Sequence, residues 1–268
     1  MHYGSAEPAS CTRPKEDSVG EPTGLGAVPF DWNLPPIDGL TQRAEIALAL
    51  RILHARGYDE DFFGHITVRQ PDGSYLTNPW EILWTELRAS QIVTMDWEGR
   101  KLSGELSVTP GVNLHVDVRR HDDSPATNVI IHQHPRYATL WATRGEVPPI
   151  FDQSGAWVGE DVYLLDEFEG AEGMSEEHAR GIVAARCGLL SKHGVLILGE
   201  TIREAAFRAV VLEQRARQAW LLEDKGVKAL DSSLVEALVA SLGPPRFAEK
   251  WYLSHLEREA RRAPEALQ

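Results

Sequence analysis

Ala126-Thr127-Asn128-Val129-Ile130-Ile131-His132-Gln133-His134-Pro135 decides how the chain is read. Val129-Ile130-Ile131 is an uninterrupted apolar run and predicts a buried strand. His132 and His134 follow at i and i+2, so on a strand both imidazoles point to one face. Pro135 then closes the strand. Two imidazoles side by side at a strand end form half of a site for a divalent metal.

Working outward, strands and helices alternate. Residues 40–56 carry helical periodicity, with Thr41 as N-cap and Gly57 as stop. Residues 65–69 and 74–78 predict a hairpin around Pro71-Asp72-Gly73. A short helix is expected near 81–87 and a strand at 92–97. A helix over 108–120 has Pro110 in its first turn. Beyond the central strand, 136–145 reads as a helix capped by Gly145, and 162–164 as a strand. Residues 175–187 read as a helix stopped by Gly188. Two strands at 189–199 fold back at His193-Gly194. Thr201-Ile202-Arg203-Glu204 is a capping box that opens a long helix to about Asp224. Two more helical stretches in 230–261 are broken by Gly243-Pro244-Pro245. This is an α/β order, and the hairpins beside the central strand argue against a purely parallel sheet.

Residues 1–36 are rich in Gly, Pro, Ser and acids. They read as a flexible tail (1–26) and an extended strap (27–36), leaving 37–268 as the folded domain. With 268 residues, 43% hydrophobic and 25% charged, the chain has ample material for one sizeable core. A net charge of −13 opposes binding to nucleic-acid phosphates and to anionic membrane surfaces. The two cysteines, Cys11 and Cys187, are far apart and suggest neither a disulfide framework nor a metal motif. Met1–Ser5 lacks the start of a signal peptide, and no apolar run approaches the ~18 residues of a membrane span. The expectation is a cytoplasmic enzyme.

A third imidazole, His193, sits on the tight Lys192-His193-Gly194 turn. Three protein ligands with coordination positions left open is the layout of a catalytic site. Imidazole alone does not choose among Zn, Fe(II), Mn, Co and Ni. His-x-His-Pro, Lys-His-Gly about sixty residues on, and the capped Thr-Ile-x-Glu-Ala helix together resemble the class II aldolase/adducin family. Gly64-His65-Ile66-Thr67-Val68-Arg69, Asn78-Pro79 and Ala89-Ser90-x-Ile92-Val93 fit the same pattern. The resemblance spans roughly 40–225. It implies a three-layer α/β/α domain with a mainly antiparallel central sheet, and a homotetramer with sites between subunits. It also implies that His132, His134 and His193 hold a divalent metal. The Asn78 turn would then face the metal and contact substrate, and a C-terminal Tyr from a neighbouring subunit, for which Tyr252 is the candidate, would donate a proton.

The departures from the family pattern redirect the function. The family's sugar-phosphate aldolases carry Ser-Ser-Glu ahead of a His on the following helix. Here Thr109-Pro110 replace the serines, Gly111 replaces the catalytic Glu, and His115 follows. His65 replaces an Asn that helps bind phosphate. Glycine has no proton to exchange, so either His65 or His115 would carry it. Gly111 also widens the pocket, and Trp80 could line it, as could Trp84, Trp141 and Trp157. Two branches suit a missing Glu. One resembles the non-heme iron oxygenases of aminocoumarin antibiotic biosynthesis (the CloR/NovR type). It implies Fe(II), O2 and oxidative decarboxylation of a prenylated 4-hydroxyphenylpyruvate-like substrate. The other is a non-oxidative Zn, Mn or Co decarboxylase or aldolase on a non-phosphorylated carboxylate or 2-oxo acid. A non-catalytic, adducin-like assembly domain is the remote alternative. Lys192, Arg69, Arg119 and Arg136 are candidate partners for a substrate carboxylate. Asp117, Asp152 and Glu167 are candidate acceptors behind the ligand imidazoles.

Overall fold

A computed structural model describes residues 37, 40–58, 63–159, 161–166, 173–242 and 244–268. The tail and strap at 1–36, and Glu167, lie outside these residues. Helices are α1 (Gln42–His54), α2 (Asn113–His121), α3 (Arg136–Arg144), α4 (Gln153–Ala156), α5 (Glu176–Ala185), α6 (Ile202–Leu222), α7 (Ser232–Leu242) and α8 (Pro244–Arg262). Strands are β1 (His65–Arg69), β2 (Tyr75–Thr77), β3 (Val93–Met95), β4 (Lys101–Ser103), β5 (Val129–Gln133), β6 (Tyr163–Leu165), β7 (Cys187–Leu190) and β8 (Gly194–Gly199).

They form one eight-stranded sheet in the order β4-β3-β2-β1-β5-β8-β7-β6. Every pairing is antiparallel except β6 with β7. The period-2 alternation of side chains sends the two faces into different layers. Val129 and Ile131 pack with Ile46, Leu50 and Leu212 beneath the layer of α1, α3 and α6. Ile130, Leu196 and Leu198 pack with Val118 of α2 and Ile182 of α5 on the other side. The result is the expected three-layer α/β/α arrangement. Register places His65 of β1 opposite His132 of β5, and Gly194 begins β8 beside the end of β5. The N-terminus of β1, the C-terminus of β5 and the N-terminus of β8 therefore meet at one end of the sheet. Among the described residues, no helix is long and apolar enough to cross a membrane.

Local signals explain the boundaries. Thr41 caps α1 by accepting from the Ala44 N–H at 3.1 Å. Gly145 ends α3 in the left-handed conformation, at φ +71°, where glycine carries no Cβ penalty. At α6, the Thr201 hydroxyl accepts from the Glu204 N–H at 3.3 Å. Glu204 reaches back one residue past the cap, to the Glu200 N–H at 2.9 Å.

Four points differ from what the sequence predicts. Residues 81–87 are not a helix. They form a turn instead, with the Glu86 N–H donating to the Leu83 carbonyl at 2.9 Å, and the Glu81 carboxylate accepts from the Ser107 N–H at 2.9 Å. The helix expected at 108–120 begins as a 3-10 turn over Pro110–Val112 and becomes α2 only at Asn113. Gly188 does not stop α5. Arg186 does, at φ +64°, while Gly188 lies inside β7 because a Cβ there would meet Ile182 at 2.9 Å. The fourth is β4, which has no sequence signature: all three of its residues are exposed, and pairing with β3 alone defines it.

Candidate metal centre

The end of the sheet where β5 and β8 meet collects His132, His134 and His193. One ligand nitrogen from each lies within 4.8 Å of the others. His132 is buried, and its Nδ1–H donates to the Val195 carbonyl at 3.0 Å. That bond fixes the tautomer and turns the Nε2 lone pair toward the other rings. His132 Nε2 and His134 Nε2 stand 3.1 Å apart. A proton or a cation must lie between two such nitrogens, and the third ring converging on them fits a cation. Burial lowers the pKa of all three imidazoles, which keeps them in the neutral form that metals bind. The donor set thus fits a divalent metal, with coordination left over for a substrate.

Small residues make this convergence possible. A Cβ on Gly194 would lie 2.4 Å from His134 Cδ2 and 2.5 Å from the Gln133 carbonyl oxygen. Lys192, at φ +57°, is a non-glycine residue in the left-handed region, and that tight turn presents His193 to the site. Gln133, fully buried, accepts from the His134 N–H at 2.7 Å.

A second pair of imidazoles backs the trio. His65 and His115 are buried, with ring centroids 4.4 Å apart, and His65 lies 5.2 Å from His132. His115 Nδ1 shares a 2.8 Å hydrogen bond with the Thr67 hydroxyl. Neither Nε2 has a protein partner. Burial pushes the His65 pKa down to about 3. A backbone contact with Gly111 opposes this, while His134 and His193 reinforce it. His115 is pushed well down by burial, then by the adjacent His65. Gly111 closes against this pair, since a Cβ there would meet His65 Cε1 at 2.7 Å. Gly111 therefore does not open space for substrate, as the sequence had suggested. The His65 ring already fills it.

Other candidates lie elsewhere or are engaged. The Asn78 side chain is buried and accepts from the Ile66 N–H at 2.9 Å. Its amide donates to the Gly64 and Pro79 carbonyls, each at 3.3 Å. It stitches two strand ends together at the rim of the site. Trp80, two residues on, is half-exposed. Tyr252 packs on the opposite layer, with its ring fully buried beside Glu45. It is not part of the cluster in its own protomer. Trp84 and Trp141 are core residues of that opposite layer, and Trp157 stacks on Phe207. Asp117 accepts from Met174 and Arg120, and Asp152 caps α4, so neither backs a ligand. The backbone carbonyl of Val195 does that for His132. Arg69 pairs with Asp123, and Arg119 donates to the Thr127 carbonyl. Sequence reasoning missed Phe63, which is exposed with its ring 6.3 Å from His134, and the steric roles of Gly194 and Gln133. No periodicity signals any of these.

The fold and the three-His cluster together define a class II aldolase-like scaffold with a candidate metal site. The family model for the class II aldolase and adducin N-terminal domain matches residues 44–220, and the chain belongs to that family. Among relatives, it is 25% identical over 190 residues to the meiotically up-regulated gene 14 protein of Schizosaccharomyces pombe, covering 68% of this chain and 73% of that one. It is 24% identical over 202 residues to 3-oxo-tetronate 4-phosphate decarboxylase of Pectobacterium atrosepticum, covering 73% and 91%. The solved L-fuculose 1-phosphate aldolase from Glaciozyma antarctica superposes with a TM-score of 0.72 at 20% identity, covering 88% of this chain and 97% of that one. That likeness establishes the fold. The narrower likeness to aminocoumarin oxygenases gains no support from these relatives.

The buried neutral imidazoles set a pH dependence for metal-free protein. His65 binds its proton near pH 3 when folded and near pH 6.5 when unfolded. Below about pH 6.5 the unfolded chain therefore takes up protons that the folded chain refuses, and stability falls until the folded pKa is reached. Chelator-treated protein should lose melting temperature steadily between pH 6.5 and 4. His65→Gln should make that slope shallower, the rest coming from the other buried imidazoles, and an unchanged slope would show that His65 is not held neutral.

Proposed function

We propose that the protein is a metal-dependent lyase that breaks a C–C bond adjacent to the carboxylate or 2-oxo acid group of a small, non-phosphorylated substrate. The observation that carries this is the convergence of His132, His134 and His193 with the unpartnered His65 Nε2 at the same sheet end. A divalent cation held by the trio would polarise a carbonyl and stabilise the electron pair left by the departing carbon. His65 Nε2, buried without a protein partner, is placed to exchange a proton with substrate in place of the carboxylic acid absent at Gly111, and a substrate carboxylate bound beside it would raise the low proton affinity that burial gives it. His115 holds the His65 ring from behind and is itself oriented by Thr67. The relative that decarboxylates a 3-oxo acid phosphate supports this chemistry, and assembly as a homotetramer follows the family.

The oxygen-dependent reading, with Fe(II) and an aromatic 2-oxo acid, draws on one observation: among the described residues the cluster is built of imidazoles alone. Three neutral ligands leave the full cationic charge to attract an anionic chelate. Metal analysis of protein purified without chelators, with product and O2 followed over a panel of 2-oxo acids, tests both. One divalent metal per chain and products formed without oxygen uptake are expected. Uptake matched to product would replace the lyase with an oxygenase, and protein purified without metal would remove both.

A further inference from the structure

The atoms that rim the site say what the rest of the substrate is made of. Phe63 immediately precedes Gly64 and His65, and 63% of it is exposed to solvent. Its ring centroid is 6.3 Å from that of His134. Gly64, which follows it, sits at φ +113°, and a Cβ on it would meet the buried Gln133 side chain at 2.7 Å. Trp80, 48% exposed, leaves from the neighbouring strand end, which Asn78 ties to the Gly64 carbonyl. Two large aromatic rings thus emerge from adjacent strand ends at the metal end of the sheet. Burying a phenyl side chain is favourable in proportion to the apolar area removed from water, so an exposed ring beside a candidate metal site has that stabilisation to give a ligand. Two polar donors of the same rim are already taken. The Asn78 amide serves two carbonyls, and the Gly111 N–H serves the Thr109 hydroxyl at 3.3 Å. A phosphate would find neither free, whereas an apolar group would find a ring.

We propose that Phe63 is a specificity-determining residue that packs against an apolar, preferably planar, group on the substrate, at the position where a phosphorylated substrate would need donors. This rests on the lyase reading of the same site. The test is calorimetric titration of Zn2+-loaded full-length protein with phenylpyruvate, pyruvate and phosphoglycolate. Phenylpyruvate should bind about tenfold more tightly than pyruvate. Phe63→Ala should erase that ratio and leave pyruvate affinity unchanged, while Phe63→Leu keeps part of it. Three results overturn the proposal: phosphoglycolate as the tightest ligand, a phenylpyruvate preference that survives Phe63→Ala, or a change in oligomeric state in Phe63→Ala with the ratio intact. Failure of the lyase reading looks different: phenylpyruvate binds in a Phe63-dependent way, but no C–C cleavage product forms from any 2-oxo acid.

Discussion

Gly194→Ala should weaken metal binding by about 100-fold or more while leaving the chain folded. The added Cβ would stand 2.4 Å from His134 Cδ2 and 2.5 Å from the Gln133 carbonyl oxygen, and neither can yield cheaply. The carbonyl belongs to β5, whose register with β8 runs from Val129↔Gly199 to Gln133↔Val195, so moving it costs ladder hydrogen bonds. The His134 ring must then rotate, which takes its Nε2 away from His132. Overpacking of this kind costs about 1–3 kcal/mol in stability. Disturbing the shell that orients a ligand typically costs 10–100-fold in metal affinity. Here a ligand itself is displaced, so a loss of about 100-fold or more is expected by competition with a chromophoric chelator. Leu198→Ala is the control. Leu198 is fully buried on the same strand, away from the trio. Its truncation should cost about 2–5 kcal/mol and leave metal affinity untouched. If Gly194→Ala binds metal as tightly as the unaltered protein, the ring does not depend on that glycine.

How much of this could be read from the sequence follows from the range of the forces involved. The trio was legible because strand periodicity places His132 and His134 on one face, and because a tight turn supplies His193. Capping chemistry announced α1, α3 and α6. Signals that depend on a distant partner were silent. β4 exists because β3 offers it a ladder. Residues 81–87 hold a turn, with the Glu86 N–H on the Leu83 carbonyl, while the Glu81 side chain is engaged by Ser107, more than twenty residues away. Gly188 and Gly111 both looked like interruptions. Each is instead a place where a side chain from elsewhere, Ile182 or His65, occupies the volume a Cβ would need. Tyr252 was assigned by family pattern alone, and within its own protomer it lies across the sheet from the metal ligands. Orientation of the imidazoles was likewise illegible, since His132 is set by a backbone carbonyl of β8 rather than by any of the acids the sequence offered.

The same exchange of volume yields the sharpest test of the acid/base assignment. Gly111 and His65 share one space. Gly111→Ala alone sets a methyl 2.7 Å from His65 Cε1, in a ring already confined by His115 and His132. It should lower stability by about 1–3 kcal/mol and turnover by about 10²–10⁴-fold, the usual worth of a positioned proton carrier, with metal content unchanged. His65→Ala should cost a similar factor in turnover by removing the carrier. In the double variant the new methyl enters the cavity left by the imidazole. Its stability loss should then fall short of the sum of the single losses by about 1–2 kcal/mol, and turnover should fall no further than in His65→Ala. Each half of the cycle isolates one claim. Additive stability losses would mean that the two residues do not compete for one volume. A Gly111→Ala protein that turns over normally would mean that the His65 ring can move without consequence, and the proton would then have to travel by another group, with His115 the next imidazole in line.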